Sequence, residues 1–433
     1  MQLKGLRWLV VSLVALATVI NYIDRNALAV MWPSISEELG MDKNDYALIL
    51  SFFMVGYALG QSLFGKIFDA IGTRFGFLLA ISLWSVSVAL HAVVRTAAGF
   101  GVVRLALGLG EAGNWPGATK SNAIWFPIRE RALAQGIFNA GASVGAVVSA
   151  PLIALLYLWI GWRATFLALG ALGFLWVIPW LILYKSDPDR HPWLTDEERD
   201  YILSGQKVAA ADSSGEDMFA PGWLEMLRYR QSWAVIASRF FLDPVWWLFV
   251  SWLPIYLAER FGFDIKQIGL FAWVPYVGAA LGSIFGGWLA GKLLSHGWDV
   301  NRTRKFTITL GGAIMLPILF ATAYAATPLV AVLLIAIILF GFQLAIGNIQ
   351  TLPSDFFSGK SVGSLAGVGG TAAIVGVLLT TWAVPVLTRT SYVPFFALGG
   401  VLVPLAIMSV WLLGQRIEPV KPKPETTKGN VIS

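Results

Sequence analysis

The stretch that decides the architecture is WLVVSLVALATVINYIDRNALAVM, Trp8 to Met31. It is long and apolar enough to cross a bilayer as a helix, since roughly 20 helical residues span about 30 Å of hydrocarbon. Yet Asn21, Tyr22, Asp24, Arg25 and Asn26 interrupt it. A carboxylate beside a guanidinium cannot face lipid tails without partners or water, so the cluster reads as part of a binding site or ion pathway. Adjacent residues project about 100° apart on a helix, so Asp24 and Arg25 do not pair face to face and each needs a group from elsewhere.

Runs of the same kind recur along the chain. Hydrophobic residues make up 57% and charged residues 13%, against about 25% charge in soluble domains. Spans are expected at roughly 8–30, 47–68, 75–95, 99–124, 132–157, 162–183, 232–257, 266–294, 304–324, 328–352, 361–387 and 391–414. The fold class is therefore an all-α polytopic membrane protein with twelve transmembrane helices. Alternating β-branched strands of barrel length are absent, which argues against an outer-membrane barrel. The expected organisation is a six-helix bundle over 1–184, a cytoplasmic linker with one amphipathic helix over 185–230, a second bundle over 231–415, and a polar, disordered tail over 416–433. The opening MQLKGLRW runs into the first apolar segment without a small-residue cleavage pattern, so the first span is expected to be uncleaved.

Lysine and arginine fix the sidedness. With the N-terminus inside, cytoplasmic segments hold 22 of the 31, outer segments 6, and Arg25, Arg104 and Arg239 fall within spans. This is the asymmetry that the positive-inside rule requires, and both termini come out cytoplasmic. It also accounts for the net charge of +6 without a nucleic-acid partner. The chain has no cysteine and three scattered histidines, which suggests no metal cluster or disulfide framework. No GxxxxGK[ST] loop is present, so ATP-driven transport is not expected. The reading is a non-enzymatic membrane protein, a monomer in contact with lipid, with no cofactor and an ion gradient as its driving force.

The two halves carry a repeat. Gly56, Gly60 and Gly65 recur as Gly278, Gly282 and Gly287, each 222 residues on. Glycines at i and i+4 flatten a helix face for close packing. The same offset sets Asp24 and Arg25 against Trp246 and Trp247, an ionic half facing an aromatic one. Parallel six-helix halves suit rocking about a central site.

Within the spans, Arg104 and Glu111 are seven residues apart on one helix face. We expect a network of Asp24, Arg25, Arg104 and Glu111 in the first half. The alternative is a lattice of ion pairs that merely locks helices. Arg25 is the candidate grip for an anion, because a guanidinium binds a carboxylate through two parallel bonds. Arg239 is read as snorkelling to cytoplasmic headgroups, with Asp243 one turn away. Tyr22, Tyr57, Asn114, Gln135, Asn139, Gln343, Asn348, Gln350 and Thr371 are candidates to line a cavity and bind hydroxyls, and Trp115, Trp246, Trp247 and Trp273 to stack on a sugar-like ring. Each has the alternative of serving only helix packing. In the loop GKIFDAIGTRFG (Gly65–Gly76), Gly65 and Gly72 permit a tight turn, Asp69 can cap or pair across the bundle, and Arg74 can bond helix C-terminal carbonyls. The expected role there is gating.

These stretches also carry a family resemblance. GKIFDAIGTR (Gly65–Arg74) is similar to the loop signature of the major facilitator superfamily. NYIDR (Asn21–Arg25), GEAGNWPGATKSNAIWFPIRERALAQGIFNAGASVGA (Gly110–Ala146), WLTDEERDYI (Trp193–Ile202) and FAWVPYVGAALGSIFGG (Phe271–Gly287) resemble its anion:cation symporter branch, in particular bacterial hexuronate and aldonate carriers. The resemblance implies proton-coupled import of a sugar acid across the inner membrane by alternating access. It implies Asp24 and Glu111 as proton carriers, Arg25 as the carboxylate clamp and Arg104 as the balancing charge, with Tyr22 and Tyr57 in the cavity. WLTDEERDYI, DVNRTRK (Asp299–Lys305) and KGLRW resemble hexuronate carriers, whereas the aspartate of NYIDR is typical of aldonate carriers. A hexuronate is favoured; an aldonate or aldarate, a drug/proton antiporter and a non-transporting sensor are the alternatives.

Overall fold

The computed structural model describes residues 4–126, 128–203, 221, 223–357 and 360–421. The first half runs through α1 (Leu6–Leu39), α2 (Lys43–Leu90), α3 (Ala97–Glu111), α4 (Asn114–Trp125) and α5 (Ile128–Leu183). A linker helix α6 covers 196–203. The second half holds α7 (Trp223–Met226), α8 (Arg230–Phe261), α9 (Ile265–Phe271), α10 (Val274–Ser295), α11 (Val300–Ala323), α12 (Pro328–Ile349), α13 (Leu352–Phe356), α14 (Lys360–Leu387) and α15 (Val393–Gly414). Ten segments are long and apolar enough to cross a membrane by length and composition. Gly161, at φ 72°, breaks one of these, Gly136–Leu183, into two. The α3–α4 pair adds the remaining span, giving the expected twelve.

Glycines turn the chain at these points. Gly72 (φ 77°) divides α2 where the signature loop was expected, and Gly40 (φ 67°) ends α1. Both sit in the left-handed region that glycine enters at little steric cost. Asp42 then starts α2 with a capping box, accepting from the Asn44 and Asp45 amides.

The 222-residue repeat has a packing meaning at two of its three positions. A Cβ on Gly56 would overlap the Leu105 carbonyl, and one on Gly60 the Leu109 carbonyl; Gly278 and Gly282 meet Ala336 and Phe340 in the same way. The second span thus lies backbone-to-backbone on the fourth, and the eighth on the tenth. Gly65 and Gly287 differ: among the described residues a Cβ at either would meet open space, so the third pair serves no close approach there.

Between described residues, the polar contacts joining the halves lie at the outer ends of the helices. Lys43 pairs with Glu259 at 2.7 Å and donates to the Thr388 hydroxyl at 2.9 Å. The Tyr46 hydroxyl donates to the Ser251 carbonyl at 2.7 Å, and the Tyr46 ring packs on Trp252. The molecule is closed on its outer face.

The linker is tied to the first half. Glu198 of α6 accepts the amides of Gly5, Leu6 and Arg7 and a 2.6 Å ion pair from the Arg7 guanidinium, which also reaches Glu130 at 2.9 Å. The carboxylate neutralises the positive end of α1. After α15, Ile417 is buried, its amide donating to Asn301, and the Val420 amide donates to the Phe356 carbonyl. Residues 415–420 are therefore docked on the second half, although a disordered tail was expected from 416. Residues 422–433 of that tail, and 204–220 of the linker, lie outside the described residues.

Candidate binding site

The site grows from α1. Arg25 donates from Nε to Glu111 at 2.9 Å and from a terminal nitrogen to the Asn21 side chain at 3.0 Å, one turn back on its own helix. Four rings surround its guanidinium: Tyr22 at 5.1 Å, Phe53 at 5.5 Å, Tyr57 at 5.0 Å and Trp247 at 5.7 Å from their centroids. Each lies within the range of a cation–π contact. The head group is therefore oriented by neutral faces as well as by its carboxylate partner. Its remaining terminal nitrogen makes no hydrogen bond among the described residues, which leaves one edge of the fork able to meet an acceptor.

The four expected charges do converge, in an arrangement different from two tidy pairs. Arg104 is fully buried and donates to the Arg25 carbonyl at 3.3 Å rather than to a carboxylate. Asp24 is buried, with neither carboxylate oxygen hydrogen-bonded among the described residues; Glu111 and Arg104 are the charged groups that act on it. One oxygen of Glu111 and two nitrogens of Arg104 are likewise unpartnered. An ion-pair lattice built only to lock helices would satisfy its members, because each buried unsatisfied polar group costs about 1–3 kcal/mol. This cluster leaves several unsatisfied.

Its neighbours divide by role. Asn26 turns away to Ser149 at 2.9 Å, tying α1 to α5, and Asn114 donates to Thr18 at 3.0 Å, tying α4 to α1. These two are helix-to-helix bonds. A narrow cavity lies on the outer side of Arg25, lined by Arg25, Tyr46, Phe53, Arg104, Trp247 and Ser251. It leaves about 10 Å³ for the centre of a water-sized sphere, the room of about one water. A substrate does not fit there while the outer face is closed.

The other sequence candidates scatter. Trp115 packs edge-on against Phe138 at 4.8 Å, and Asn139 is exposed one residue further along α5. The Gln135 side chain lies outside the described residues. Asn348 is not free to read a substrate hydroxyl: it accepts from Arg304 at 3.1 Å and donates to the Leu344 carbonyl, beside an Arg304–Asp355 ion pair of 2.8 Å. The Thr371 hydroxyl is exposed and donates to the Gly367 carbonyl at 3.2 Å.

In the loop, Arg74 donates to the Leu181 carbonyl at 2.6 Å, near the end of α5, and its amide donates to the Ser186 hydroxyl. Lys120 donates to the Phe68 carbonyl at 2.7 Å. The Asp69 side chain lies outside the described residues.

Of the two tryptophans set opposite Asp24 and Arg25 by the repeat, Trp247 does reach Arg25, whereas Trp246 stacks on Phe342 at 5.5 Å inside the second half. Two expectations for that half change. Arg239 does not snorkel: it forms a two-bond pair with Asp243, at 2.9 and 3.3 Å, and its side chain lies against Gly369 and Gly370 of α14. The second half is consequently ionic as well as aromatic. Reasoning from sequence missed Phe53 as a wall of the Arg25 site. Its four-residue spacing to Tyr57 was a legible signal, since i and i+4 share a helix face.

The comparisons with known proteins agree with this architecture. The chain is 34% identical over 428 residues to the hexuronate transporter of Escherichia coli (strain K12), covering 98% of both proteins. It is 36% identical over 317 residues to the galacturonate transporter of Dickeya chrysanthemi, covering 73% of this chain and 90% of that one. In fold it is similar to a bacterial homologue of the human lysosomal transporter Spinster, with a TM-score of 0.72, 17% identity and 95% of each chain covered. Residues 14–380 match the Major Facilitator Superfamily. With this match added to the twelve spans and the doubled glycine scaffold, the chain belongs to the Major Facilitator Superfamily and is a multi-pass transporter of the inner membrane rather than an enzyme.

Proposed function

We propose that the protein imports a sugar acid, most specifically a hexuronate such as galacturonate or glucuronate, together with protons. The observation that carries the reading is Arg25: a guanidinium boxed by four rings, with one fork edge uncommitted, between the two halves of the transporter. A fixed guanidinium suits a carboxylate through charge-assisted bonds and disfavours lipophilic cations, which argues against a drug/proton antiporter. The names of the two relatives favour hexuronate over aldonate or aldarate.

In this mechanism Asp24 and Glu111 take up protons from the outer side. Protonation of Glu111 ends its pairing with Arg25 and frees the Nε edge for the substrate carboxylate. The unpartnered oxygens of Asp24 make it the second proton carrier, and Arg104 balances the charge of whichever acid is ionised. The outer contacts at Lys43 and Tyr46 then form, and proton release to the cytoplasm restores Arg25–Glu111 and expels the anion. Tyr22 and Tyr57 line the route at Arg25; Trp115, Gln135, Asn139 and Thr371 are assigned to it away from the clamp; and Asn348, engaged by Arg304 and the Leu344 carbonyl, is not a substrate contact. Gly65, Asp69, Gly72 and Arg74 are assigned to the cytoplasmic gate, where Arg74 clasps the end of the sixth span. If two protons accompany one monovalent anion, membrane potential assists at about 2.3 kcal/mol per charge per 100 mV.

A thermal-shift screen of the purified protein tests the substrate. Galacturonate and glucuronate are expected to raise the melting temperature more than galactonate, gluconate or glucarate, with the shift growing as the buffer is made more acidic. A larger shift with an aldonate or aldarate reassigns the substrate. A shift with none of the five contradicts sugar-acid binding.

A further inference from the structure

The Arg239–Asp243 pair lies outside the Arg25 site and has no role in the mechanism above. It sits within a membrane span, where an ionisable residue is expensive and marks function more often than stability. On α8, Arg239, Asp243 and Trp247 are spaced i, i+4 and i+8, so they share one face. At about 100° per residue, Asp243 projects between Trp246 and Trp247. Trp247 is the ring that covers Arg25. One turn of α8, about 6 Å along its axis, therefore separates the ring over the carboxylate clamp from a second carboxylate on its cytoplasmic side.

The surroundings keep that carboxylate usable. Both side chains are partly accessible, 18% for Arg239 and 14% for Asp243, against 8% and 0% for Arg25 and Glu111. Among the described residues, each Asp243 oxygen accepts one bond, both from Arg239. A carboxylate offers about four acceptor positions, so two remain. The wall beside the guanidinium is Gly369 and Gly370: a Cβ on Gly369 would stand 3.3 Å from Arg239 Cδ, and one on Gly370 3.7 Å from its terminal nitrogen. The two glycines thus let α14 close on the arginine side chain and hold it against Asp243.

We propose that Asp243, oriented by Arg239, is the hydroxyl-reading group of the second half: it accepts two O–H bonds from adjacent hydroxyls of the sugar acid whose carboxylate is held by Arg25. The ring of a uronic acid then lies against Trp247, between the two groups. Arg239 is a positioning residue, holding the plane of the carboxylate without touching the sugar. The site then selects for a polyhydroxylated acid over a plain carboxylic acid. The assignment rests on the sugar-acid reading given above.

The test compares two ligands on the full-length protein: galacturonate, and tetrahydropyran-2-carboxylate, which keeps the ring and carboxylate and lacks the hydroxyls. Asp243→Asn is expected to weaken galacturonate binding by about tenfold or more, the loss of bonds to a charged acceptor, and to leave tetrahydropyran-2-carboxylate within about twofold of the wild type. An equal loss for both ligands makes Asp243 a structural charge and overturns the proposal, as does no loss for either. Should Asp243→Asn not fold, Asp243→Glu keeps the charge opposite Arg239 but advances the oxygens by one methylene. It is expected to change the ranking of galacturonate against its epimer glucuronate, and an unchanged ranking overturns the proposal. Wild-type protein that binds no sugar acid at all contradicts the transport reading itself, whereas wild-type binding with variants unchanged contradicts only the role of Asp243.

Discussion

Arg25 and Glu111 are the residues whose roles separate most cleanly by measurement. Arg25→Ala removes the charged donors and also strands Glu111, whose only hydrogen bond among the described residues is to Arg25. At about 1.5–3 kcal/mol per bond to a charged group, loss of two substrate bonds weakens affinity about 100-fold or more. Saturable sugar-acid binding is expected to disappear in calorimetry, and unchanged affinity removes the clamp role. Glu111→Gln keeps the size and, neutral like the protonated acid, leaves the Arg25 Nε edge to the substrate, but it cannot shuttle a proton. This variant is expected to exchange labelled for unlabelled substrate normally while losing accumulation driven by a pH gradient. Normal gradient-driven accumulation excludes Glu111 as the coupler. Rescue of the exchange reaction distinguishes this from general damage to a buried site.

The glycine scaffold makes a prediction at the level of elements. Gly56→Val and Gly278→Val place side chains into the Leu105 and Ala336 carbonyls, so each helix pair must separate. Overpacking of this kind costs about 1–3 kcal/mol or more, and both variants are expected to melt markedly lower in detergent. Gly287→Val meets open space and serves as the control, expected to melt within a degree or two of wild type. The same glycines show why so much of the fold was legible. Spacing and hydropathy are properties of one helix at a time, and they located the twelve spans, the break at Gly72 and the helix faces able to pack closely. Asp24, Arg25, Arg104 and Glu111 could be grouped because charge in a span is rare and must be answered. Partnership was less legible, because it depends on rotation between helices. Nothing local distinguishes Asn26, which turns to Ser149, from Asn21, which steadies Arg25. Asn348 looked like a cavity residue because the Arg304 that engages it lies 44 positions earlier on another helix.

For the molecule as a whole, the outer contacts define the state observed and a way to shift it. Lys43 bridges the halves to Glu259 and Thr388, with side chains 23% and 40% exposed for the ion pair. A pair so exposed contributes about 0–1 kcal/mol, enough to move a balanced equilibrium a few-fold. Because the chain has no cysteine, a single reporter such as Ala29→Cys in the closed outer cavity can be labelled alone. Adding Lys43→Ala is expected to speed its modification by an impermeant maleimide from outside about two- to fivefold, and an unchanged rate means that the Tyr46–Ser251 contact alone holds the outer face. Coupling of a sugar-acid anion to protons through Arg25 and the acids around it is measured in proteoliposomes. Wild-type protein given an acidic exterior is expected to concentrate radiolabelled galacturonate above its external level, with Arg25→Ala abolishing the uptake and a protonophore reducing the wild type to equilibration. Accumulation that ignores the protonophore excludes proton coupling, and accumulation that persists in Arg25→Ala excludes Arg25 as the anion clamp.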